Sequence, residues 1–487
     1  MKKILLLTSI VLGLTSCNLD VNTDPNYPSE VSPSLLLPSA QNFIAATVGD
    51  GMYNYAGFFS QYFDQMPEAN QYNQIAEYDF TESDQIIDRS YRNLYAGALM
   101  DLNKVLQHEE STSGDKYAAT ILRAFCFQLL VDNMDKTPYA ESLLGSSNSM
   151  PVWDNGKDVY TGILQEMDTA EEALGSSTMS SNDLLLGKNL TQWKGFANAL
   201  RLRMYLRFID ANEDAAGYTA KLKTLVDAGE FFTGDIKYDV FTDETNKRNP
   251  WYATNKVELA NNHVAGYAIT TYLTSTSDPR ISYNFVKAAN SGSYAGELPG
   301  SKQVLASKKN ADYSALNYYA TKPVYFFTQS ELQFLLAESY LRFYNDATRA
   351  KAAYEAGIDA DFAARNLSNA SQMYGTGGTV AWSSVTTQAA QLELIYMQKW
   401  VALCYMDHME AWSEIRRTDC PKWSAKTASE INADPTIYTA GDLIKPMRNG
   451  LGTGVVKRMF FPLSARQLNK NTPAAVEITT PVWWDVK

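Results

Sequence analysis

The stretch from Ser330 to Asn366, SELQFLLAESYLRFYNDATRAKAAYEAGIDADFAARN, decides the fold of this chain. Apolar and small residues recur through it at spacings of three and four, the period of a helix with one buried face. The pattern predicts two helices, over 329–345 and 348–366, joined by a connection of only a few residues. A connection this short brings two helices side by side in opposite directions, so we expect a helical hairpin here.

Small residues stand where the helices of this hairpin must touch, and aromatic residues stand where gaps must be filled. They follow the tetratricopeptide scheme, with Leu336, Ala337 and Tyr340 in the first helix and Ala350, Tyr354 and Gly357 in the second. The segments 84–131 and 156–208 predict similar pairs. Stacked hairpins bury a continuous core that none buries alone. The sequence therefore predicts a mostly α fold, in which tetratricopeptide-like helix pairs form an α-superhelical scaffold with little strand.

Elsewhere, helical periodicity alternates with long irregular stretches. Further helices are predicted at 35–65, 84–107, 118–129, 159–174, 190–210, 217–228, 257–274 and 388–416. Irregular stretches lie at 66–83, 132–156, 230–256, 276–328, 367–387 and 418–487, with short strands predicted at 236–242, 322–327 and 458–462. Loops this long in a compact domain usually serve a function, so they are where a ligand site is expected.

The first residues have the pattern of an export signal. Lys2 and Lys3 precede an apolar run of 11 residues, 4–14, which is shorter than the roughly 20 residues that span a bilayer. Leu-Thr-Ser-Cys at 14–17 matches a lipobox, and the polar stretch 18–33 is typical of a tether. We predict a signal peptide at 1–16, lipidation of Cys17, a flexible tether at 17–33 and a single helical domain at 34–487. The alternative is an ordinary cleaved signal in which Cys17 is incidental.

Composition excludes some partners and favours others. The 54 acidic residues outnumber the 42 basic ones, for a net charge of −12, and no Lys/Arg-rich segment interrupts them. Such a surface repels phosphate backbones, so nucleic acid is not an expected partner. The chain also holds 30 Tyr, 20 Phe and 9 Trp. Most of these rings are expected in the core, but exposed ones would suit the stacking of sugar rings or peptide side chains.

Motifs for catalysis are missing from the sequence. The chain has no Gly-x-Ser-x-Gly elbow, and its three histidines, His108, His263 and His408, lack the two-histidine spacing of a zinc protease. We expect no enzyme, no cofactor and no metal site. Calcium remains an option at Asp235, Asp239 and Asp243, although their register matches no EF-hand loop. A carboxylate pair for glycosidic cleavage also stays open, because the distance between two carboxyl groups in space decides whether they can cleave a sugar bond.

Cys126 and Cys404 lie in apolar runs and are expected to be buried.

A series of short motifs resembles one family, the SusD/RagB outer-membrane lipoproteins of Bacteroidota, and its SusD-like branch in particular. The resemblance covers essentially the whole chain. After the lipobox, the motifs are Asn18-Leu19-Asp20, Asn22-Thr23-Asp24-Pro25-Asn26, 117–132 with Arg123-Ala124-Phe125, Asp135-Lys136-Thr137-Pro138-Tyr139, 330–338, Gln398-Lys399-Trp400, 411–417, 458–464 and Asn469-Lys470-Asn471.

The resemblance implies a protein held by lipid in the outer membrane and facing the cell exterior. Such proteins cap a SusC-like TonB-dependent transporter and pass it oligosaccharides or, in some relatives, peptides. Helix pairs would lie on the transporter side and ligand-binding loops on the other. Capture would be noncovalent.

The candidate ligand-binding residues rest on loop composition, because the family supplies no strict binding motif to transfer. Aromatic rings with neighbouring amides suit sugar faces and hydroxyls. The best loops are 70–78 and 249–255, and the candidates are Asn70, Tyr72, Tyr78, Trp251, Tyr252, Tyr294, Tyr318 and Trp382. Each of these aromatic residues could instead pack its loop onto the helices. Other open readings are a peptide-binding subunit, a surface glycosidase, and a structural lid without ligand affinity.

Overall fold

A computed structural model of the protein describes residues 31–487. The predicted signal peptide, Cys17 and most of the predicted tether lie outside the described residues. The α-helices are α1 Pro33–Ala46, α2 Met52–Phe59, α3 Asn73–Ala76, α4 Asp88–Arg92, α5 Met100–Gln107, α6 Ser113–Met134, α7 Gly156–Leu174, α8 Leu190–Asp210, α9 Ala215–Ala228, α10 Pro250–Tyr252, α11 Tyr267–Ser275, α12 Arg280–Asn284, α13 Gln329–Phe343, α14 Ala347–Ala364, α15 Ser371–Tyr374, α16 Gln388–Leu403, α17 His408–Thr418, α18 Ala428–Ala433 and α19 Leu463–Leu468. The predicted α fold with little strand is confirmed.

The strands are short and form three small antiparallel sheets. They are β1 Phe63–Gln65, β2 Lys136–Thr137, β3 Asp154–Asn155, β4 Ile236–Tyr238, β5 His263–Ala265, β6 Phe285–Val286, β7 Ala315–Leu316 and β8 Val324–Phe327. The largest sheet has the order β1-β5-β7-β6, while β2 pairs with β3 and β4 with β8. The predicted strands near 236 and 324 are present but pair with each other across 85 residues of chain. The strand predicted at 458–462 is wrong, since no strand forms there, although the Met459 amide donates a hydrogen bond to the Asn133 carbonyl oxygen.

The hairpin predicted from 330–366 forms as α13 and α14. Thr328 begins α13 by accepting a hydrogen bond from the Glu331 amide, and Asp346 begins α14 in the same way. The two helices approach closely at Gly357, where a Cβ atom would lie 2.8 Å from the Phe334 ring. Glycine is therefore required by helix contact at this position, as the tetratricopeptide scheme predicts.

Three predicted helices are interrupted. The segment predicted at 35–65 contains α1 and α2 with a π-helical stretch, Thr47–Gly51, between them, and it ends in β1. Apart from its first two residues, which end the π-helical stretch Ala253–Glu258, the segment predicted at 257–274 is helical only from Tyr267, because Ala260 and Asn261 adopt positive φ and the chain then enters β5. The segment 388–416 divides at 404–407, where Tyr405 has φ 66° and Asp407 caps α17. In each segment the apolar pattern continues through a residue at positive φ, namely Gln61, Ala260 or Tyr405, where the helix ends.

Buried charges join the helices to one another. On α8, Arg203 contacts Glu331 of α13 at 2.8 Å, and Arg207 contacts Asp132 of α6 at 2.6 Å and Glu410 of α17 at 2.7 Å. Such pairs fix which helices meet more than they add to stability. Cys126 and Cys404 are buried, as expected from their apolar surroundings. Across residues 31–487, no helix combines the length and apolarity needed to cross a bilayer.

Candidate functional site

The two loops favoured by their amides and aromatic rings, 70–78 and 249–255, meet at one open cavity of about 300 Å³. We call it the polar cleft and define it by its lining residues Asp50, Gly51, Asn54, Tyr55, Gln71, Tyr72, Gln74, Ile75, Asp84, Ile86, Arg89 and Thr254. Its size lies at the lower end of the range of roughly 300–1,000 Å³ typical of small-molecule sites. Aromatic rings, amides, carboxylates and a guanidinium converge in this one place.

Two π-helical segments build one wall of the polar cleft. Thr47–Gly51 follows α1, and Ala253–Glu258 follows α10. Asp50 belongs to the first and Thr254 to the second, and the Thr254 hydroxyl donates a hydrogen bond to Asp50 Oδ2 over 3.1 Å. A π turn inserts an extra residue into a helix, so its side chains point away from the helix face that they would otherwise occupy. Here this places a carboxylate and a hydroxyl side by side at the cleft.

Tyr72 forms the aromatic part of the wall and is half-buried. Its hydroxyl donates to Asn255 Oδ1 over 2.5 Å, and its backbone amide donates to Gln65 Oε1 over 2.6 Å. Its ring lies 5.0 Å from the His263 ring, centroid to centroid, which seats it against the core. Asn255 is fully buried and donates in turn to the Trp251 carbonyl oxygen. Tyr72 is thus held from three sides before any ligand arrives.

Lys302 anchors the start of the loop that carries Tyr72. Its ammonium donates to the Ala69 carbonyl oxygen, to Asn70 Oδ1 and, over 3.3 Å, to Asn73 Oδ1. Partial burial lowers the pKa of Lys302, and the nearby Glu297 carboxyl opposes this. Asn70 therefore lies exposed beside the cleft with its side-chain oxygen already engaged.

The electrostatics of the polar cleft centre on Asp50. Burial raises the pKa of Asp50 to about 6, the Arg89 guanidinium at 3.4 Å works against this rise, and Glu258 adds to it. Asp84 also lines the cleft, but its two oxygens accept hydrogen bonds from Gln74, at 3.2 Å, and from the Thr81 amide, at 2.7 Å. Asp50 is therefore the buried carboxylate of the cleft, whereas Asp84 is exposed.

The eight sequence-predicted site residues do not come together. Tyr72 lines the polar cleft and Asn70 lies next to it, whereas the remaining six lie elsewhere. The Trp251 ring is 0% exposed and packs among the rings of Tyr318 and His263, while its Nε1 donates to Asn54 Oδ1 over 3.3 Å. It has no surface to offer a ligand in this structure.

The other five candidates differ in exposure but share a packing role. Tyr78, Tyr318 and Trp382 are buried, and Trp382 lies 5.5 Å from the Tyr354 ring of the hairpin. Tyr252 and Tyr294 are half-buried and pack against the core. These rings hold loops onto the helices, the alternative left open by their composition.

Sequence reasoning missed Asp50, Asn54 and Arg89, which lie inside segments predicted to be plain helices. The signal that could have found Asp50 is its setting, Gly49-Asp50-Gly51, within an otherwise apolar helical run. Gly51 permits close approach, since a Cβ there would lie 2.7 Å from Ser90 Oγ.

Two other open cavities, of about 380 and 250 Å³, have different linings. The larger is lined by hydroxyls, amides and glycines between 276–279 and 368–379 and has no aromatic ring. The smaller contains Tyr238 and Phe241, but its charged groups are the basic Lys247 and Arg248. Of these three cavities, the polar cleft alone combines rings, amides and carboxylates.

The three aspartates considered for calcium have separate partners. Asp235 accepts from the Gln329 amide, Asp239 pairs with Lys237 at 3.1 Å and Asp243 pairs with Arg248 at 2.7 Å. In the part of the chain that the structure describes, no group of three or more His, Cys, Asp or Glu side chains is arranged to hold a metal ion. The fit to calcium is therefore poor.

Comparison with known proteins gives one family and one fold. The sequence profile of the SusD-like family, described as "Starch-binding associating with outer membrane", matches residues 25–439. No curated protein matches the chain.

Among solved structures, similar folds occur in several SusD homologues. One from Bacteroides thetaiotaomicron is 22% identical, with a TM-score of 0.73 over 94% of this chain and 100% of its own. One from Bacteroides ovatus has the same identity, score and coverage. A chitin-binding SusD homologue from Flavobacterium johnsoniae is 20% identical, with a TM-score of 0.71 over 92% of this chain and 99% of its own. At these identities the likeness concerns the fold.

Proposed function

This chain belongs to the SusD-like family, and we propose from this premise that its polar cleft binds an oligosaccharide noncovalently for delivery to a SusC-like TonB-dependent transporter. The observation that carries the proposal is the convergence of Tyr72, Asn54, Gln71 and Asp50 on one open cavity. Two further findings support a glycan ligand. The family is described as starch-binding, and the structural relative from Flavobacterium johnsoniae is a chitin-binding protein.

The chemistry of the polar cleft suits a sugar. A sugar ring has an apolar face that packs on an aromatic ring, and hydroxyls that need both donors and acceptors. Tyr72 supplies the ring, Gln71 and Gln74 supply exposed amides, and Asp50 supplies an acceptor. Because Tyr72 is already held by Asn255, little side-chain freedom is lost when a ligand stacks on it.

Binding without hydrolysis is the second part of the proposal. Glycosidic cleavage requires two carboxyl groups that flank the sugar bond, one of them an acid with a raised pKa. Asp50 has a raised pKa, and the oxygens of Asp84 accept hydrogen bonds from Gln74 and Thr81. The buried acids Asp64 and Glu297 are outside the lining of the cleft. Because the family is described as starch-binding, we propose that the carboxyl groups of Asp50 and Asp84 bind the sugar without cleaving it.

Attachment to the outer membrane is the third part. The lipobox cysteine Cys17 would carry the lipid, residues 17–33 would act as the tether, and the helical body would face the cell exterior. The family description, association with the outer membrane, supports this placement. A lipid anchor holds firmly because each buried methylene adds about 0.8 kcal/mol.

Calorimetry with a soluble form of the mature chain tests the proposal. In this form Cys17 is alanine, and the ligands are a panel of starch-, chitin- and xylan-derived oligosaccharides. We expect saturable binding of at least one of them and roughly tenfold weaker binding by Tyr72→Ala, since a stacked ring contributes about 0.5–1.5 kcal/mol beyond its buried area. Tyr319→Ala is the matched control, because Tyr319 is 43% exposed and lies outside the cleft.

Three results would overturn the proposal. They are the absence of binding across the panel, binding that is equal in Tyr72→Ala and the wild type, and release of reducing ends from the bound sugar. Saturable binding of peptides that no sugar displaces would assign the cleft to peptide cargo instead.

A further inference from the structure

The wall of the polar cleft contains a buried carboxylate with one oxygen unused. Asp50 is 6% exposed. Its Oδ2 accepts from Thr254 Oγ1 at 3.1 Å and from Arg89 Nη1 at 3.4 Å. Its Oδ1 accepts no hydrogen bond from the side chains of residues 31–487. A ligand in the cleft therefore meets an acceptor that the protein has left free.

Arg89 does not balance this carboxylate. Its side chain is 67% exposed, and it reaches Asp50 through one nitrogen at 3.4 Å, beyond the 2.7–2.9 Å of a charge-assisted hydrogen bond. An ion pair with one solvent-exposed partner contributes only about 0–1 kcal/mol. Burial consequently raises the pKa of Asp50 to about 6 in spite of Arg89.

The other charged groups around Asp50 increase the negative potential. Glu258, on the second π-helical segment, raises the pKa of Asp50. Asp84 lines the same cleft, and Tyr72 has its own pKa raised by burial and by the Asp50 charge. The cleft is thus lined by two acidic side chains, with a third nearby, and by one exposed guanidinium.

This charge pattern discriminates between classes of sugar. A uronic or sulfated sugar would bring a like charge against Asp50 and be repelled. A neutral sugar could donate hydroxyls to Oδ1, but it would displace water and leave the charge without a counterion. A protonated amine would both donate to Oδ1 and neutralise the charge that burial makes costly.

We infer that the polar cleft selects sugars that carry a free amino group, with the ammonium on Asp50 Oδ1 and the ring against Tyr72. This inference rests on the proposed function and adds the ligand class to it. Asp50 acts as the specificity-determining residue, and Thr254 and Arg89 hold its other oxygen in place.

Matched pairs of oligosaccharides test the inference, because N-acetylation removes the charge and keeps the backbone of the sugar. The probes are glucosamine and N-acetylglucosamine tetramers, and galactosamine and N-acetylgalactosamine tetramers, titrated calorimetrically at pH 6.5 into the soluble mature chain. We expect the free-amine member of at least one pair to bind tenfold or more tightly, since a hydrogen bond to a charged group contributes about 1.5–3 kcal/mol.

The variant Asp50→Asn should abolish this preference, because the amide keeps the shape and removes the charge. Asp239→Asn is the matched control, since Asp239 is exposed and far from the cleft lining. The preference should be greatest between about pH 6 and 7, because Asp50 takes up a proton below this range and the amine of an amino sugar loses its proton above it. Thermal melts of both variants check that they are folded.

The possible failures are distinguishable. If acetylated or neutral oligomers bind and the free amines bind no more tightly, the inference is wrong and the proposed function stands. If Asp50→Asn retains the amine preference, the inference is also wrong. If none of these probes and none of the wider panel binds, the proposed function fails as well.

Discussion

Replacing Lys322 with methionine should stabilise the protein at neutral pH. The Lys322 side chain is 1% exposed, and its ammonium lies 3.4 Å from the Tyr283 hydroxyl. Four tyrosine rings surround the ammonium, with centroids 5.2–5.8 Å away, namely Tyr283, Tyr318, Tyr319 and Tyr325. Among the described residues, no carboxylate lies within ion-pair distance of it. The charge is thus buried with aromatic faces as its main compensation.

The size of the effect follows from the pKa. Burial lowers the pKa of Lys322 from 10.5 to about 7, and at about 1.36 kcal/mol per unit this is a penalty of about 5 kcal/mol for the charged form. Attraction to the rings, at roughly 0.5–1 kcal/mol each, offsets part of it. Methionine has a similar length and carries no charge, so we expect a gain of about 1–3 kcal/mol in the free energy of unfolding.

The gain should depend on pH in a defined direction. Below pH 7, lysine is charged in both the folded and unfolded states, so the wild type carries the full penalty. Between pH 7 and 10.5 the folded lysine is neutral while the unfolded one still holds its proton, and the penalty shrinks as the pH rises. The advantage of Lys322→Met is therefore largest at pH 7 or below and small near pH 10.

Urea unfolding of the soluble chain at pH 6.5 and pH 10 measures this difference. Lys247→Met is the control, because Lys247 is 62% exposed and should change stability little at either pH. The reasoning would be refuted if Lys322→Met destabilised the protein at pH 6.5, or if its gain were equal at the two pH values.

Further predictions concern the ion network, the hairpin and the anchor. Burial alone would raise the pKa of Glu338, but the Arg417 guanidinium, at 2.7 and 2.8 Å, lowers it to about 2. Glu338→Gln should therefore lower the free energy of unfolding by about 3–5 kcal/mol at pH 7. In the wild type, the stability that ionised Glu338 contributes should disappear as the pH falls from about 4.5 to 2. Acid unfolding of both proteins would measure this loss. Gly357→Val should cost at least about 1–3 kcal/mol, since a Cβ would lie 2.8 Å from the Phe334 ring, and urea unfolding would report it. Cys17→Ser should move the protein from the membrane fraction to the soluble fraction, and unchanged membrane association would contradict lipidation.

The helical hairpins could be predicted because their signals are local. In α13 and α14 the period, the capping residues and the small contact residue Gly357 all lie within about forty positions of one another, so periodicity alone indicates the fold. The interruptions could not be predicted in the same way. His263–Ala265 becomes a strand by pairing with Phe63–Gln65, 200 residues away in sequence, and an apolar pattern contains no trace of that partner.

Loop composition predicted the loops that meet at the open cavity but not the residues that line it. The loops 70–78 and 249–255 do meet at the polar cleft, and Tyr72 faces it. Trp251 has the same loop setting and an even larger ring, yet it is fully buried. Its indole nitrogen donates a hydrogen bond to Asn54, and its ring packs against the rings of Tyr318 and His263. Composition cannot distinguish these outcomes, since both a binding platform and a loop anchor require a large ring with a polar edge.

Of the residues that were missed, Asn54 and Arg89 lie in the α-helices α2 and α4, whereas Asp50 was displaced by a change in the helical backbone. Asp50 and Thr254 reach the cleft from π-helical segments, where one extra residue per turn shifts the side chains off the expected face. A helical pattern assumes 3.6 residues per turn and would place Asp50 among its apolar neighbours, where burial of a carboxylate is unfavourable. The glycines on both sides of Asp50 are therefore the informative feature, because each allows a close contact: a Cβ at Gly49 would meet Val324 Cγ2, and one at Gly51 would lie 2.7 Å from Ser90 Oγ. The same displacement that hid Asp50 from the sequence pattern leaves its Oδ1 unpaired at the cleft, so the defect in the helix and the selectivity proposed for the ligand have a common cause.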